Sequence, residues 1–553
     1  MFALGRINPL ELSDGHLTQE ETTPAGGDQI YMKYRPDVDG LRALAILPVI
    51  LYHARLGCPG GFVGVDVFFV ISGFVICSLL LRELGDGTFS LVNFWERLVR
   101  RILPALAVVV LATLIAAYFL FLPEDFAFVG RSVAALTVLG ANFFFWKQSG
   151  YFAPGSDTKP LLHTWSLAVE EQFYLLFPLF LIFLVRRRKN AGFQGIAWLA
   201  LLSFGLSVAG AYSASNQRTT FFLLPTRAWE LLLGAGLAAG RDKLHAGAPV
   251  REVLGWLGLA LIGWPVFCYS AATRFPGLAA LPPCLGAALI IFSSETKLSS
   301  AGRMLAWRPM VFVGLISYSL YLWHLPLLTF ATYLSKTEPG AEVRTGLLAA
   351  SLLLAVLSWQ LVEKPFRQRR IGPQRSHIFG FAGAAAGLFL LLGLAVSGQQ
   401  GFPARFPATV MAYAEARNHT PYLLTAADME KPWAGRLARF SPAQTNQRVD
   451  VVVWGDSHAM ALIPVINTLC QKQAWRDMEA TGSGTPPVVG NYRVKGGMER
   501  PSVLGAAVFR YITQSRPREV VLAAYWSRYT ASEAFKSNLL ATVHGMLNLG
   551  VRV

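Results

Sequence analysis

Charge is what this chain has least of. Only 15% of its 553 residues are Asp, Glu, Lys or Arg, 53% are hydrophobic, and the mean hydropathy is +0.42. Such a composition excludes a soluble protein of ordinary make-up and points to a polytopic membrane protein. Acidic residues are the scarcer sign, 33 against 49 Lys and Arg, which leaves a net charge of +16. That excess does not read as a nucleic-acid surface. The basic residues fall in short runs beside apolar segments, as in Arg186-Arg187-Arg188-Lys189 and Arg367-Gln368-Arg369-Arg370, where they act as topology signals and meet anionic headgroups of the membrane lipid. Cysteine is sparse too. Cys58, Cys77, Cys268, Cys284 and Cys470 have no metal-ligand spacing, and four of them lie in or next to apolar segments, so neither a disulfide framework nor a metal site is implied. Residues 1–30 lack the apolar core of a signal peptide and read as a disordered cytoplasmic extension. Internal repeats, frequent in transporters, are not evident.

What is present is a succession of apolar segments, near 41–57, 62–81, 103–122, 130–146, 164–185, 194–213, 219–240, 254–271, 278–293, 311–334, 343–362 and 378–397. Basic clusters at Lys33 and Arg35, Arg97–Arg101, Arg186–Lys189, Arg241 and Lys243, Lys297–Arg308 and Lys364–Arg370 are expected on the cytoplasmic side. Three segments separate Arg101 from Arg186, and an odd number cannot return the chain to the same side. The short 130–146, with Asn142 inside it, is therefore expected to be re-entrant or interfacial. Eleven spans remain, about ten in a core bundle and one linking, with the N-terminus inside and everything after about residue 398 outside.

Beyond that point the composition becomes polar and punctuated by Pro and Gly, the signature of a soluble domain. A linker leads into the apolar run Val451-Val452-Val453-Trp454, bounded by Gly455, which reads as a buried strand. A helix near 459–473, a Gly/Pro-rich loop at 481–490, a second strand at 519–524 and a helix near 531–548 predict an α/β sheet. The chain stops where a third strand is expected, at Val551, which reads as a truncated domain.

The candidate site begins in the first span. Arg42 and His53 are eleven residues apart, about 16 Å along a helix and on nearly the same face. Ionisable residues inside a membrane are costly, so this stripe points to a polar cavity. Asp66 lies among small residues in Gly60-Gly61-Phe62-Val63-Gly64-Val65-Asp66, which allow close helix approach. Arg97, Arg100 and Arg101 sit at a helix edge as a topology signal, and their guanidinium forks also suit phosphates. Glu170 in His163-Thr164-Trp165-Ser166-Leu167-Ala168-Val169-Glu170, His324 in Tyr321-Leu322-Trp323-His324, and Glu363 add to a shared chamber of three histidines and several carboxylates. A histidine there can deprotonate a hydroxyl or accept an acyl group, and Arg42 can stabilise oxyanion charge. In the soluble part, Gly455-Asp456-Ser457-His458 between strand and helix exposes Ser457 at a helix N-terminus.

Residues 34–370 resemble the acyltransferase-3 family of integral membrane O-acyltransferases, six motifs agreeing in order. The resemblance implies transfer of an acyl group, usually acetyl from acetyl-CoA, to a carbohydrate at or beyond the membrane. It implies Arg42 and His53 as essential residues, and Arg97 and Arg100, with Arg101 as an alternative register, as the cytoplasmic arginine motif. Residues 448–553 resemble the SGNH hydrolase-like domain fused behind such bundles, implying Ser457 as an acyl-forming nucleophile. The Asp-x-x-His that supplies the base in that family is not present after Ser457, since His544 has Ala541 three residues before it.

The expected organisation is a cytoplasmic extension (1–30), a transmembrane acyltransferase bundle (31–370), a linking helix (371–400), a periplasmic linker (401–447) and an SGNH-like domain (448–553). The expected function is O-acetylation of a surface polysaccharide, lipopolysaccharide or lipid-linked glycan from a bacterial inner membrane. A transporter or flippase of acyl groups or glycolipids is the alternative.

Overall fold

The computed structural model describes residues 34–148, 159–187, 191–213, 216–241, 244–270, 272–335, 338–411, 449–482, 484–493, 499–529 and 533–553. The extension 1–30 and most of the linker 401–447 lie outside them. The chain forms two compact units, Met1–Arg405 and Phe406–Val553.

The first unit is a helical bundle: α1 Pro36–His53, α2 Gly64–Gly85, α3 Leu91–Leu120, α4 Pro123–Thr137, α5 Ala141–Lys147, α6 Thr164–Arg187, α7 Ala191–Tyr212, α8 Gln217–Phe222, α9 Leu224–Ala239, α10 Ala248–Cys268, α11 Leu281–Ser293, α12 Ser300–Leu305, α13 Arg308–Leu334, α14 Ala341–Ser358, α15 Lys364–Arg367 and α16 Arg375–Gly398. Nine helical segments among the described residues are long and apolar enough to cross a membrane. Helix α1 has 18 residues but carries Asp37, Asp39 and Arg42, and α11 belongs to a shorter apolar segment, Gly277–Ser293. Together these make up a multi-pass membrane bundle. The segment expected near 130–146 is broken: α4 stops, Leu139 takes a positive φ of 57°, and α5 adds only seven residues. Asn142 is buried at the break, donating to the Phe222 carbonyl oxygen at 3.2 Å, a polar contact that a lipid-facing helix does not offer.

Position in the bundle follows apolar exposure. The most apolar window of α2 is 67% buried, whereas that of Ala341–Arg367 is 17% buried, its Leu353, Leu357 and Leu361 facing outward. Helix α2 is therefore central and α14 is peripheral. Two close crossings place the polar residues. A Cβ on Gly73 of α2 would lie 1.7 Å from the Leu231 carbonyl oxygen, and one on Gly234 of α9 would lie 1.9 Å from that of Val70. These reciprocal contacts hold α2 and α9 backbone to backbone. Helices α1 and α13 run side by side in the same direction, Gly314 meeting Asp39 at one end and His324 meeting His53 at the other. After α14 the helix widens to a π-helical turn over Trp359–Glu363, a form often found at functional sites.

The second unit is α/β. Strands β1 Val451–Gly455, β2 Asp477–Thr481 and β5 Glu519–Ala523 form a parallel sheet in the order β2-β1-β5, and β3 Asn491–Arg493 pairs antiparallel with β4 Glu499–Pro501. Helices α17 Ser457–Lys472, α18 Val503–Ser515 and α19 Glu533–Asn548 connect them. Val452, Trp454, Met478, Ala480 and Val520 pack with Leu504, Val508 and Ile512 of α18 on one face, while Val453 meets Ala459 and Ile463 of α17 on the other. The sequence reading missed a strand here: β2 is a third parallel strand of the sheet, while at the expected strand near Val551, Arg552 makes a parallel bridge with Glu519. The sequence Asp477-Met478-Glu479-Ala480-Thr481 hides a strand because acidic residues, normally depleted from strands, occupy one face of it.

Candidate active site

Three histidines from three helical segments meet. His53, the last residue of α1, lies with its Nδ1 2.9 Å from His324 Nε2. The His163 ring, just before α6, is 5.5 Å from that of His324. Hydrogen positions follow from the partners. His324 Nδ1 is 2.7 Å from the Tyr321 carbonyl oxygen and 3.2 Å from that of Leu320. Carbonyls only accept, so Nδ1 carries the hydrogen and Nε2 of the neutral ring is an acceptor. His53 Nδ1 then donates to it, which leaves His53 Nε2 with a lone pair. His324 thus fixes the orientation of the His53 ring.

His53 lines a cavity of about 500 Å³ with Tyr52, Phe62, His163, Trp165, Arg227 and Tyr321 among its walls. The Tyr321 hydroxyl donates to the His163 carbonyl oxygen at 2.8 Å and lies 2.7 Å from Ser166 Oγ. These bonds fix this part of the cavity wall. The buried His163 lines the same cavity.

Arg42 is not in that wall. It is buried at the other end of α1, with Nη1 3.2 Å from Asp39 Oδ1, whose other oxygen accepts from the Tyr34 hydroxyl at 2.9 Å. A second polar cluster forms there. Glu170 accepts from Tyr174 at 2.8 Å and Ser72 at 3.2 Å, Glu363 accepts from Ser319, and the charges of Arg101 and Arg367 act on both Arg42 and Glu363. Of the three arginines on α3, Arg97 pairs with Glu83 at 2.8 Å and Arg100 with Glu96 at 2.9 Å. Arg100 also reaches the Phe366, Pro373 and Gln374 carbonyl oxygens, so it ties α3 to the segment before α16. Arg101 has no carboxylate within ion-pair distance among the described residues.

Asp66 has a different partner from any of these. Its Oδ1 lies 2.9 Å from Arg227 Nη1, and Glu230 Oε1 lies 2.8 Å from the same nitrogen. Asp66, Glu230 and Cys284 also bring their ligand atoms within 4.8 Å of one another, a grouping that scattered cysteines do not reveal in sequence, and the Arg227 guanidinium is the cation resting on its two carboxylates. The sequence reading passed over Arg227 and Glu230. A charged pair three residues apart in the apolar segment 219–240 carries the same signal that singled out Arg42.

In the second unit Ser457 is exposed at the first position of α17. Buried Asp456 caps that helix, accepting from the His458 backbone N–H at 2.9 Å, and its other oxygen accepts from the Tyr525 N–H at 3.0 Å and the Tyr529 hydroxyl at 2.9 Å. The His458 ring stacks on Tyr525. No side chain among the described residues hydrogen-bonds the Ser457 hydroxyl.

A multi-pass bundle enclosing a histidine-lined cavity, followed by an α/β unit with a serine at a strand-to-helix turn, defines the class. The acyltransferase domain matches residues 35–362, and the SGNH domain that is found fused to such domains matches 422–553. The chain belongs to the acyltransferase-3 family. It is 32% identical over 353 residues to the O-acetyltransferase OatA of Staphylococcus aureus, covering 61% of this chain and 58% of that protein. The peptidoglycan O-acetyltransferase OatA of Listeria monocytogenes is 32% identical over 357 residues, 61% of this chain and 56% of its own. The match thus spans little more than half of these relatives. No solved structure matches the chain significantly.

Proposed function

We propose that this protein is a membrane O-acetyltransferase that moves an acetyl group from acetyl-CoA to a hydroxyl of a cell-envelope glycan. The observation that carries the reading is the His53–His324 pair: a histidine oriented through 2.9 Å and 2.7 Å contacts, with its remaining nitrogen free for a proton or an acyl group, in a cavity large enough for a small substrate. The relatives' names support O-acetyl transfer, and one of them supports peptidoglycan as the acceptor to test before lipopolysaccharide.

The donor's phosphates suit the Arg42 end of α1. Arg97 and Arg100 are already engaged by carboxylates, so Arg101, with Arg42 and Arg367 nearby, offers the freer guanidinium for them. The basic clusters beside the spans support a cytoplasmic N-terminus in the inner membrane, with the second unit on the periplasmic side. That orientation sends the acetyl group from Arg101 toward His53 and then outward, with Ser457 as a candidate relay.

The test is to incubate membranes containing the full chain with radiolabelled acetyl-CoA and either peptidoglycan fragments or lipopolysaccharide. Wild type labels one acceptor, His53→Ala labels neither, and Arg101→Ala raises the KM for acetyl-CoA. Label that survives in His53→Ala refutes the reading. Acetyl-CoA consumption retained in Ser457→Ala, with label lost from the glycan, supports the relay.

A further inference from the structure

We propose that Arg227 is a second catalytic residue of the His53 cavity: its guanidinium donates hydrogen bonds to the carbonyl oxygen of the acyl group in transfer and holds the negative charge that this oxygen acquires. The inference rests on the acyl-transfer reading above. Arg227 is 1% exposed yet lines the same cavity as His53. It is boxed by aromatic rings, its guanidinium carbon 5.3 Å from the Phe69 centroid, 5.6 Å from Phe275 and 5.7 Å from Trp165. Such walls exclude water and strengthen whatever polar contact forms inside them.

Two features make this more than a buried ion pair. Asp66 and Glu230 both make their close contact with Nη1, and the guanidinium still lines the cavity that holds His53. A guanidinium in the wall of the cavity that also holds His53 is placed to meet a polar group of whatever that cavity binds. The charge balance then selects what that group is. Two carboxyl groups against one guanidinium leave no surplus positive charge to bind a phosphate or carboxylate. A neutral carbonyl that turns negative only at the transition state fits, and stabilising charge at that stage is what accelerates the reaction.

The step balances with the donor already named. The acceptor hydroxyl oxygen bonds to the acyl carbon as His53 Nε2 takes its proton, and the carbonyl electron pair moves onto the oxygen facing Arg227. When the C=O bond re-forms, the C–S bond breaks and the coenzyme thiolate takes the proton from His53.

The test uses the full chain in detergent with acetyl-CoA and fluoroacetyl-CoA as donors and the acceptor that wild type labels. Fluorine makes the carbonyl more electrophilic, so it substitutes in part for the arginine. Arg227→Gln is expected to lower kcat with acetyl-CoA about 10²- to 10³-fold, the usual loss for one oxyanion donor, and to lower it much less with fluoroacetyl-CoA. The KM for the donor is expected to stay near wild type. Arg227→Lys keeps a cation against Asp66 and Glu230 and gives the same donor dependence if the glutamine variant does not fold. An equal loss with both donors assigns Arg227 to structure and overturns the proposal, as does a lysine or glutamine variant with near-wild-type kcat. Wild type and His53→Ala run alongside: a wild type that transfers nothing sinks the acyl-transfer reading itself, whereas an active wild type beside an unaffected Arg227 variant sinks only this inference.

Discussion

The two units present their reactive groups in opposite ways. In the bundle, His53 sits among apolar helices where an unpartnered polar group is costly, and its orientation comes through another side chain, His324, and then a backbone carbonyl. In the second unit, Ser457 stands exposed at a helix start, and its position comes from backbone packing: Gly455 beneath it and Asp456 bonded to Tyr525 and Tyr529. A buried site is therefore sensitive to its side-chain partners, and an exposed one to the backbone that carries it.

The comparison breaks first at His53. With His53 as the proposed base, acetyl transfer by the His53→Ala chain is expected to fall about 10²- to 10⁴-fold, while Ser457→Ala leaves consumption of the proposed donor, acetyl-CoA, unchanged. Equal losses from both variants in a donor-consumption assay contradict the division of roles. Next, His324→Ala leaves the His53 Nδ1–H without its acceptor, a cost of about 1–3 kcal/mol, so kcat is expected to drop about ten- to a hundredfold with little change in donor KM. A full-rate His324→Ala enzyme in steady-state kinetics refutes the orienting role.

For the second unit, the backbone is the place to intervene. A Cβ on Gly455 would come 1.7 Å from the Ala523 carbonyl oxygen, so Gly455→Ala must force β1 and β5 apart. Its expected cost is about 1–3 kcal/mol or more, seen as faster hydrogen exchange across 451–455 and 519–523 with the bundle peptides unaffected. Unchanged exchange there means that the turn tolerates a side chain after all.

The smallest expected effect is a pH dependence confined to the same unit. Burial pushes the Glu479 carboxyl up to about 8, against the weaker opposing pull of the Thr481 hydroxyl. An unfolded glutamate titrates near about 4.3. Between those values the folded state holds a proton that the unfolded state has released, so raising the pH favours unfolding. The second unit is expected to lose stability from pH 5 to pH 8, read by hydrogen exchange of β2 corrected for its intrinsic rate. Glu479→Gln is expected to flatten that dependence. A slope that persists in the variant assigns the effect to another group.

The sequence by itself determined the class of architecture, because its signals are local. Long apolar runs specify helices that cross a membrane, the break at Leu139 follows from a segment too short and too polar to span, and Gly455-Asp456-Ser457 after four apolar residues specifies a strand-to-helix turn. It also picked out His53, His324, Asp66 and Arg42 as costly residues in apolar surroundings. Which of them meet was decided only by tertiary structure, because helix crossing depends on backbone approach at particular glycines. Gly314 sets α13 against α1 and so delivers His324 to His53, while Gly73 and Gly234 set α2 against α9 and so give Asp66 to Arg227 rather than to the histidines. Arg42 and His53 share a helix face yet belong to separate polar clusters, since eleven residues of helix keep them about 16 Å apart whatever surrounds them. The acidic strand β2 was hidden for the same reason: burial of Asp477 and Glu479 is imposed by their neighbours in the sheet, against the preference of their own side chains.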